Sequence, residues 1–299
     1  MKNKKRTLLF PVVLCAAAVI AAGVLWARSG RRSPAPKVWE NSIFSWEGEY
    51  MLPEYEERIN QLMERLDCRA IYQEIPADAD NDLVLDFLER SHKNGYQIYY
   101  LTGQAQWGLS DGAPMLEELK RVEALNRMAD GESGFAGIVW DVEPYVLDAW
   151  DEDPEACMEQ LVKNCIFVYE QMQRSGMNMI VCIPHFYDHK GFGDALERLI
   201  KSGCDAVAVM NYNKNDEAGQ IAFEVEAARK YNKGILHITE MQAPGKHDLT
   251  ENNTYYSDGI DAAAKSHQRL AQTFDYERLG FSWHYLRPLL ELSEAESDE

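Results

Sequence analysis

One stretch of the sequence combines residue types and spacing that imply chemistry: FAGIVWDVEPY, from Phe135 to Tyr145. Phe135 to Trp140 is the apolar run expected of a strand buried on both sides, where helices cover the outer face and the in–out alternation fades. Asp141 and Glu143 follow two residues apart. At the strand period both carboxylates point to one side, roughly 6 to 7 Å apart at Cα, and Pro144 then ends the ladder. Two ionisable groups at the end of a buried strand cost free energy unless they are paired or used. One reading is structural, with loop arginines or backbone N–H groups satisfying them. The other is general acid catalysis, since a desolvated carboxyl beside a like charge keeps its proton towards neutral pH.

The rest of the chain supplies a scaffold that places this stretch. Strand-length apolar runs are predicted near residues 41–46, 69–75, 96–102, 135–140, 178–184, 205–210, 234–239 and 279–284. Amphipathic, helix-length stretches at 53–66, 81–93, 114–128, 154–174, 193–201, 216–231 and 258–274 separate them, with Ile59, Leu62, Met63 and Leu66 on one face of the first. Asn94-Gly95 and Gly176 punctuate helix ends. Strict alternation with short connections implies a parallel sheet. Eight units in about 250 residues, counting a terminal helix as the eighth, imply a closed (β/α)8 TIM barrel, a single domain over residues 38–290. After Pro288 a short apolar turn and a solvated acidic tail, 291–299, are expected.

In such barrels the reacting groups sit at the C-terminal strand ends. Those positions here are rich in acids, amides and aromatics: Trp46, Glu47, Gln73, Glu74, Gln104, Trp107, His185, Tyr187, Asp188, Asn211, Tyr212, Asn213, Glu240, Gln242, Trp283, His284 and Tyr285. Aromatic faces beside paired carboxylates suit a carbohydrate cleft, because sugar C–H faces stack on rings while hydroxyls bond to acids and amides. The expected substrate-binding set is Trp46, Gln73, Gln104, His185, Tyr187, Asn211, Asn213, Gln242, Trp283 and His284.

GIVWDVEPY resembles the strand 4 signature of family 18 glycoside hydrolases, the chitinases and endo-β-N-acetylglucosaminidases, written D-G-x-D-x-D-x-E. Gly137, Asp141 and Glu143 match it, and Ala136 and Val139 stand where it has aspartates. VAVMNYN, residues 207–213, resembles the family's strand 6 M-x-Y-D through Met210 and Tyr212, with Asn213 in the aspartate position. GFSWHYL is similar to its strand 8 segment at Trp283. The resemblance implies Glu143 as general acid, Asp141 as the residue that orients a substrate acetamido group acting as internal nucleophile, and Tyr212 as the holder of that group's oxygen. A second resemblance is to the large clan of retaining barrel hydrolases, with an acid/base Glu after strand 4 in N-E-P and a nucleophilic Glu ending strand 7. Here V-E-P at 142–144 and Glu240 occupy those places, and such a double displacement needs carboxylates about 5 to 5.5 Å apart. A third reading is a barrel that binds a glycan without cleaving it.

Composition narrows the field further. Lys2, Lys4, Lys5 and Arg6 form a short basic N-terminus, 1–6, before the uncharged stretch 7–27, long enough to span a hydrocarbon core of about 30 Å. This reads as a transmembrane signal anchor that puts the barrel on the extracytoplasmic side, with cleavage near Gly23 and secretion as the alternative. Residues 28–37 form a Ser/Pro/basic linker. The chain carries 30 Lys and Arg against 49 Asp and Glu, and the portion after residue 37 holds 22 of those bases and every acid. Such a domain is repelled by phosphate backbones, which excludes nucleic acid as a partner and makes a neutral substrate easier to accept. There is no C-x-x-C, H-E-x-x-H, G-x-G-x-x-G or P-loop, so neither metal nor cofactor is expected.

Overall fold

The structure, a computed structural model, describes residues 37–297. The basic N-terminus, the apolar stretch 7–27 and all but the last residue of the linker lie outside the described residues. Among the described residues no helix is long and apolar enough to cross a membrane. Eight strands, β1 (Ser42–Ser45), β2 (Ala70–Glu74), β3 (Gln97–Thr102), β4 (Gly137–Trp140), β5 (Asn178–Pro184), β6 (Ala206–Met210), β7 (Gly234–Glu240) and β8 (Leu279–His284), pair in sequence order, and β8 closes on β1. Every pairing is parallel.

The helices that cover the barrel are α1 (Glu56–Arg65), α2 (Asn81–Lys93), α3 (Ala113–Met128), α4 (Pro154–Ser175), α5 (Gly193–Ser202), α6 (Glu217–Tyr231), α7 (Ile260–Phe274) and α8 (Leu286–Ser297). Their ends follow local chemistry. Asp80 and Asp153 accept backbone N–H bonds at the starts of α2 and α4, and Gly176 takes the left-handed conformation after α4.

Residues of alternate parity divide the core in two. Phe44, Tyr72, Tyr99, Leu101, Val139, Ile180, Cys182, Ala208, Leu236 and Ile238 fill the barrel. Ile43, Ile71, Ile98, Ile138, Val181, Val207 and Ile235 face the helices. Rings from β1 to β3 pack edge to face, with centroids 5.1 Å apart for Phe44–Tyr72 and 5.4 Å for Tyr72–Tyr99. The alanines of β6, on the far side, leave them room, so the interior is packed rather than hollow.

Two glycines set how closely β4 is held. A Cβ on Gly137 would lie 2.1 Å from the carbonyl oxygen of Asn178 on β5, and one on Gly103, just past β3, would lie 1.8 Å from that of Asp141. Neither site has room for a side chain. The entry of β4 is therefore held close to β5, and its exit, where the acids begin, close to the end of β3.

The C-terminal expectation is corrected. Residues 286–297 form α8 in place of a turn and a tail from 291. Pro288 falls in the first turn, where a missing N–H breaks no intrahelical bond. Leu286, Leu289 and Leu290 are buried, one helical face apart, and α8 packs on α1 and β1. Arg58 and Glu294 pair across that contact.

Candidate active site

At the C-terminal ends of the strands lies a cleft of ≈ 670 Å³, lined by Phe44, Trp46, Glu47, Asp141, Glu143, Tyr145, Val146, Cys182, Met210, Tyr212, Ile238, Glu240, Gln242, His247, Leu249, His284 and Tyr285. That volume lies within the usual range for small-ligand sites. The lining contains four carboxylates and neither Lys nor Arg.

Asp141 and Glu143 share this cleft. The backbone N–H of Asp141 still bonds to Thr102 O at 2.9 Å, one residue past β4, so strand parity carries through to both acids. Val139, Asp141 and Glu143 thus step upward from the packed interior to the opening. Asp141 Oδ1 is buried without a hydrogen-bond partner in the protein. Burial first, and then the adjacent Glu143 charge, push the Asp141 carboxyl up to about 7. Burial also raises Glu143, against a hydrogen bond donated by the Tyr145 hydroxyl that favours its charged form. Burial dominates in both, so the pair retains a proton towards neutral pH. Tyr212 lies over the same floor, and its phenol is raised well above its ordinary value by burial and by Glu240 and Asp141, which keeps it a hydrogen-bond donor.

Glu240 has a different environment. Its Oε1 accepts the backbone N–H groups of Met241 at 2.9 Å and Gln242 at 2.7 Å, and its Oε2 lies 2.8 Å from His284 Nδ1 and 3.4 Å from Gln242 Nε2. His284 Nε2 in turn accepts from Trp46 Nε1 at 3.1 Å. An indole N–H only donates, so His284 Nε2 carries no proton and Nδ1–H donates to Glu240.

Asp141, Glu143, Tyr212, Glu240, Trp46, Gln242 and His284 are therefore brought together around one cleft, while other expected binding residues lie elsewhere. Gln73 faces outward and donates to Glu47 O at 3.1 Å and Glu74 O at 2.8 Å. Asn211 points into the helix layer, bonding Glu217 O at 2.8 Å and His237 Nδ1 at 3.3 Å. Trp283 is buried on the outer side against His267, because its register partner Ile43 faces outward, and the next residue, His284, takes the inward place. Tyr187 stacks on Trp150 at 5.6 Å within an aromatic cluster behind the cleft. His185 is outside the lining, with Nδ1 3.2 Å from Met210 O. Gln104 is exposed, and Asn213 caps its own turn through Asn215 N.

Glu47, Tyr145, Val146, His247, Leu249 and Tyr285 line the cleft but were not in the expected set. Tyr145 and Val146 sit in the 3-10 turn Pro144–Val146 that follows the acids, so strand parity does not place them, and closeness in sequence to Glu143 was the signal that could have found them. His247 and Leu249 come from the segment after β7, whose sequence carries no periodic signal that would place them.

The fold defines the class: a (β/α)8 barrel with an acidic cleft at its strand exits. No family model and no curated sequence matches the chain. Among solved structures it is similar to a GH18 chitinase from Cycas revoluta in complex with (GlcNAc)3, at 14% identity, covering 87% of this chain and 99% of that one with a TM-score of 0.54. It is also similar to a GH18 chitinase from Pseudoalteromonas aurantia, at 10% identity over 86% of this chain and 99% of that chain, TM-score 0.52. A putative alpha-L-fucosidase from Bacteroides thetaiotaomicron matches at 13% identity over 100% and 98% of the two chains, TM-score 0.55. These likenesses establish a shared barrel fold.

Proposed function

We propose that this protein hydrolyses glycosidic bonds next to a 2-acetamido sugar, with Glu143 as the proton donor. The observation that carries this reading is the Asp141–Glu143 pair: two acids held at a cleft floor by strand parity, raised by burial, with no cation in the lining. Glu143, nearer the opening, gives its proton to the departing glycosidic oxygen. The substrate's acetamido oxygen attacks the anomeric carbon from the other face, while Asp141 orients that group and Tyr212 donates to its oxygen.

Glu240 supports this reading over the two-glutamate alternative. A nucleophile needs a lone pair aimed at the anomeric carbon, whereas the Glu240 oxygens are occupied by two backbone N–H groups, Gln242 and His284. The test is hydrolysis of a panel of oligosaccharides with and without 2-acetamido groups. Glu143→Gln keeps the shape and removes the proton, and is expected to lower kcat/KM by roughly 10²- to 10⁴-fold on the acetamido substrates. Cleavage of sugars lacking that group, abolished by Glu240→Gln and untouched by Asp141→Asn, would transfer the assignment to the two-glutamate mechanism. Binding without cleavage by the parent chain would make the barrel a glycan-binding module.

A further inference from the structure

The chain Glu240–His284–Trp46 joins three strands through one imidazole whose two nitrogens are both engaged. Glu240 is 3% exposed and is itself fixed by the two backbone N–H groups that follow it, so its Oε2 is a rigid acceptor. That acceptor takes the proton on His284 Nδ1, which forces Nε2 to be the lone-pair nitrogen, and the lone pair holds the Trp46 indole. The His284 ring also contacts Phe44 edge to face at 5.7 Å and Tyr212 at 6.1 Å, so it has little freedom to turn. Trp46 lies just after β1, beyond the last ladder residue, Ser45, and the indole bond ties its ring to β8.

We propose that Glu240 and His284 are positioning residues that hold Trp46 as a wall of the cleft, and that protonation of His284 releases it. The reason is donor–acceptor arithmetic. An imidazolium has no acceptor, so a proton on Nε2 would face the Trp46 N–H, two donors at the present 3.1 Å. The Glu240 bond survives and strengthens, the Trp46 bond is lost, and the indole turns away. The charged and titratable groups that line the cleft with the imidazole are Glu240 on β7, Asp141 and Glu143 after β4, Tyr212 after β6, Cys182 on β5, His247 in the segment between β7 and α7, and Tyr285 beside it. Glu47, paired with Arg287 at 3.0 Å, stands at the rim. The groups that act directly on the imidazole, Glu240, Asp141 and Glu143, are acids, and the Trp46 bond is the contact that protonation breaks. The sugar-facing role of this wall rests on the glycosidase reading, but the hydrogen-bond chain does not.

The test therefore uses no substrate. The full chain labelled with ¹⁵N-indole tryptophan is followed by NMR from pH 8 to pH 5, with the Trp46 signal assigned by Trp46→Phe. The Trp46 Nε1–H resonance is expected to move upfield as pH falls, with the same midpoint as the His284 ring resonances. His284→Gln removes that titration, and Glu240→Gln, which deletes the neighbouring negative charge, moves its midpoint to lower pH. A Trp46 resonance that stays put while His284 titrates overturns the proposal in the unmodified protein, whatever the variants do. So does a Trp46 titration that persists in folded His284→Gln. Either result leaves the glycosidase reading standing, and a catalytically silent protein with a titrating Trp46 would leave the hydrogen-bond chain standing.

Discussion

Asp141 and Glu143 were legible because strand parity is rigid: once the run ending at Trp140 is read as a strand, both acids share a side. The same parity shows why Trp283 was misplaced. A Trp-His pair at a strand end names an aromatic ring for each face, and only the β1–β8 register says that His284 looks inward. Asn211 and Gln73 failed in the same way, one residue out of phase with the cleft. For Asp141 the consequence reaches stability. Its folded value of about 7 lies above the value of about 4 of an unfolded aspartate. The folded state therefore holds an extra proton between those limits. The stabilisation is fully present below about pH 4 and is lost as pH rises through about 7. Asp141→Asn removes this titration. Urea denaturation is expected to show the variant more stable than the parent at pH 8, by about 2 to 4 kcal/mol, with the gain shrinking towards pH 4. A pH-independent difference would mean that the carboxyl does not carry this linkage. Activity on acetamido sugars should fall as stability rises, the usual trade at a site built from buried acids.

At the scale of elements, the long periodic segments were readable nearly to the residue: α2, β5 and β8 coincide with their predicted limits. Punctuation explains this, because Asn94-Gly95 and Gly176 mark ends by conformation rather than by hydropathy. The short pieces at the cleft were not readable. A turn such as Asp188–Phe192, or the segment between β7 and α7, is too brief or too aperiodic to signal itself. α8 was allowed for in the count of eight but not placed, because Pro288 and the acids after it resemble a terminus, while its buried leucines are too few to form a long stripe. Leu289 is fully buried, so Leu289→Ala is expected to cost about 2 to 5 kcal/mol in urea denaturation. A cost below about 0.5 kcal/mol, the level of a neutral surface change, would return residues 286–297 to a tail. A second prediction concerns β3 and β4. Gly103→Ala drives a methyl into the Asp141 carbonyl and must push the β4 exit outward. It should lower both Tm and kcat/KM, whereas Ala substitution at Gly95, where nothing lies within 4 Å but φ is +83°, should lower Tm alone. Equal activity losses at the two sites would count against the β4 exit as the element that aims the acids.

At the scale of the whole molecule, charge and hydropathy are segregated along the chain. All 49 acidic residues and 22 of the 30 basic ones follow residue 37, while the apolar stretch 7–27 carries no charge and is flanked by bases. The acidic barrel is repelled by anionic lipid headgroups and should not adsorb to a membrane. Membrane association, if it occurs, must then come from the first 37 residues, which makes the proposed signal anchor separable from the barrel by experiment. The full chain is expected to sediment with membranes, to resist high salt and alkaline carbonate, and to be extracted only by detergent. A chain beginning at Val38 should stay in the supernatant under the same conditions. Salt-released full chain would indicate a peripheral contact through the basic flanks, because such attraction is screened within about 8 Å at physiological ionic strength and less at higher salt. Recovery of a mature form starting near residue 24 without detergent would replace the anchor with a cleaved signal. Protease protection completes the assignment: in sealed cells the barrel should be digested from outside, and a barrel protected until lysis would reverse the proposed orientation.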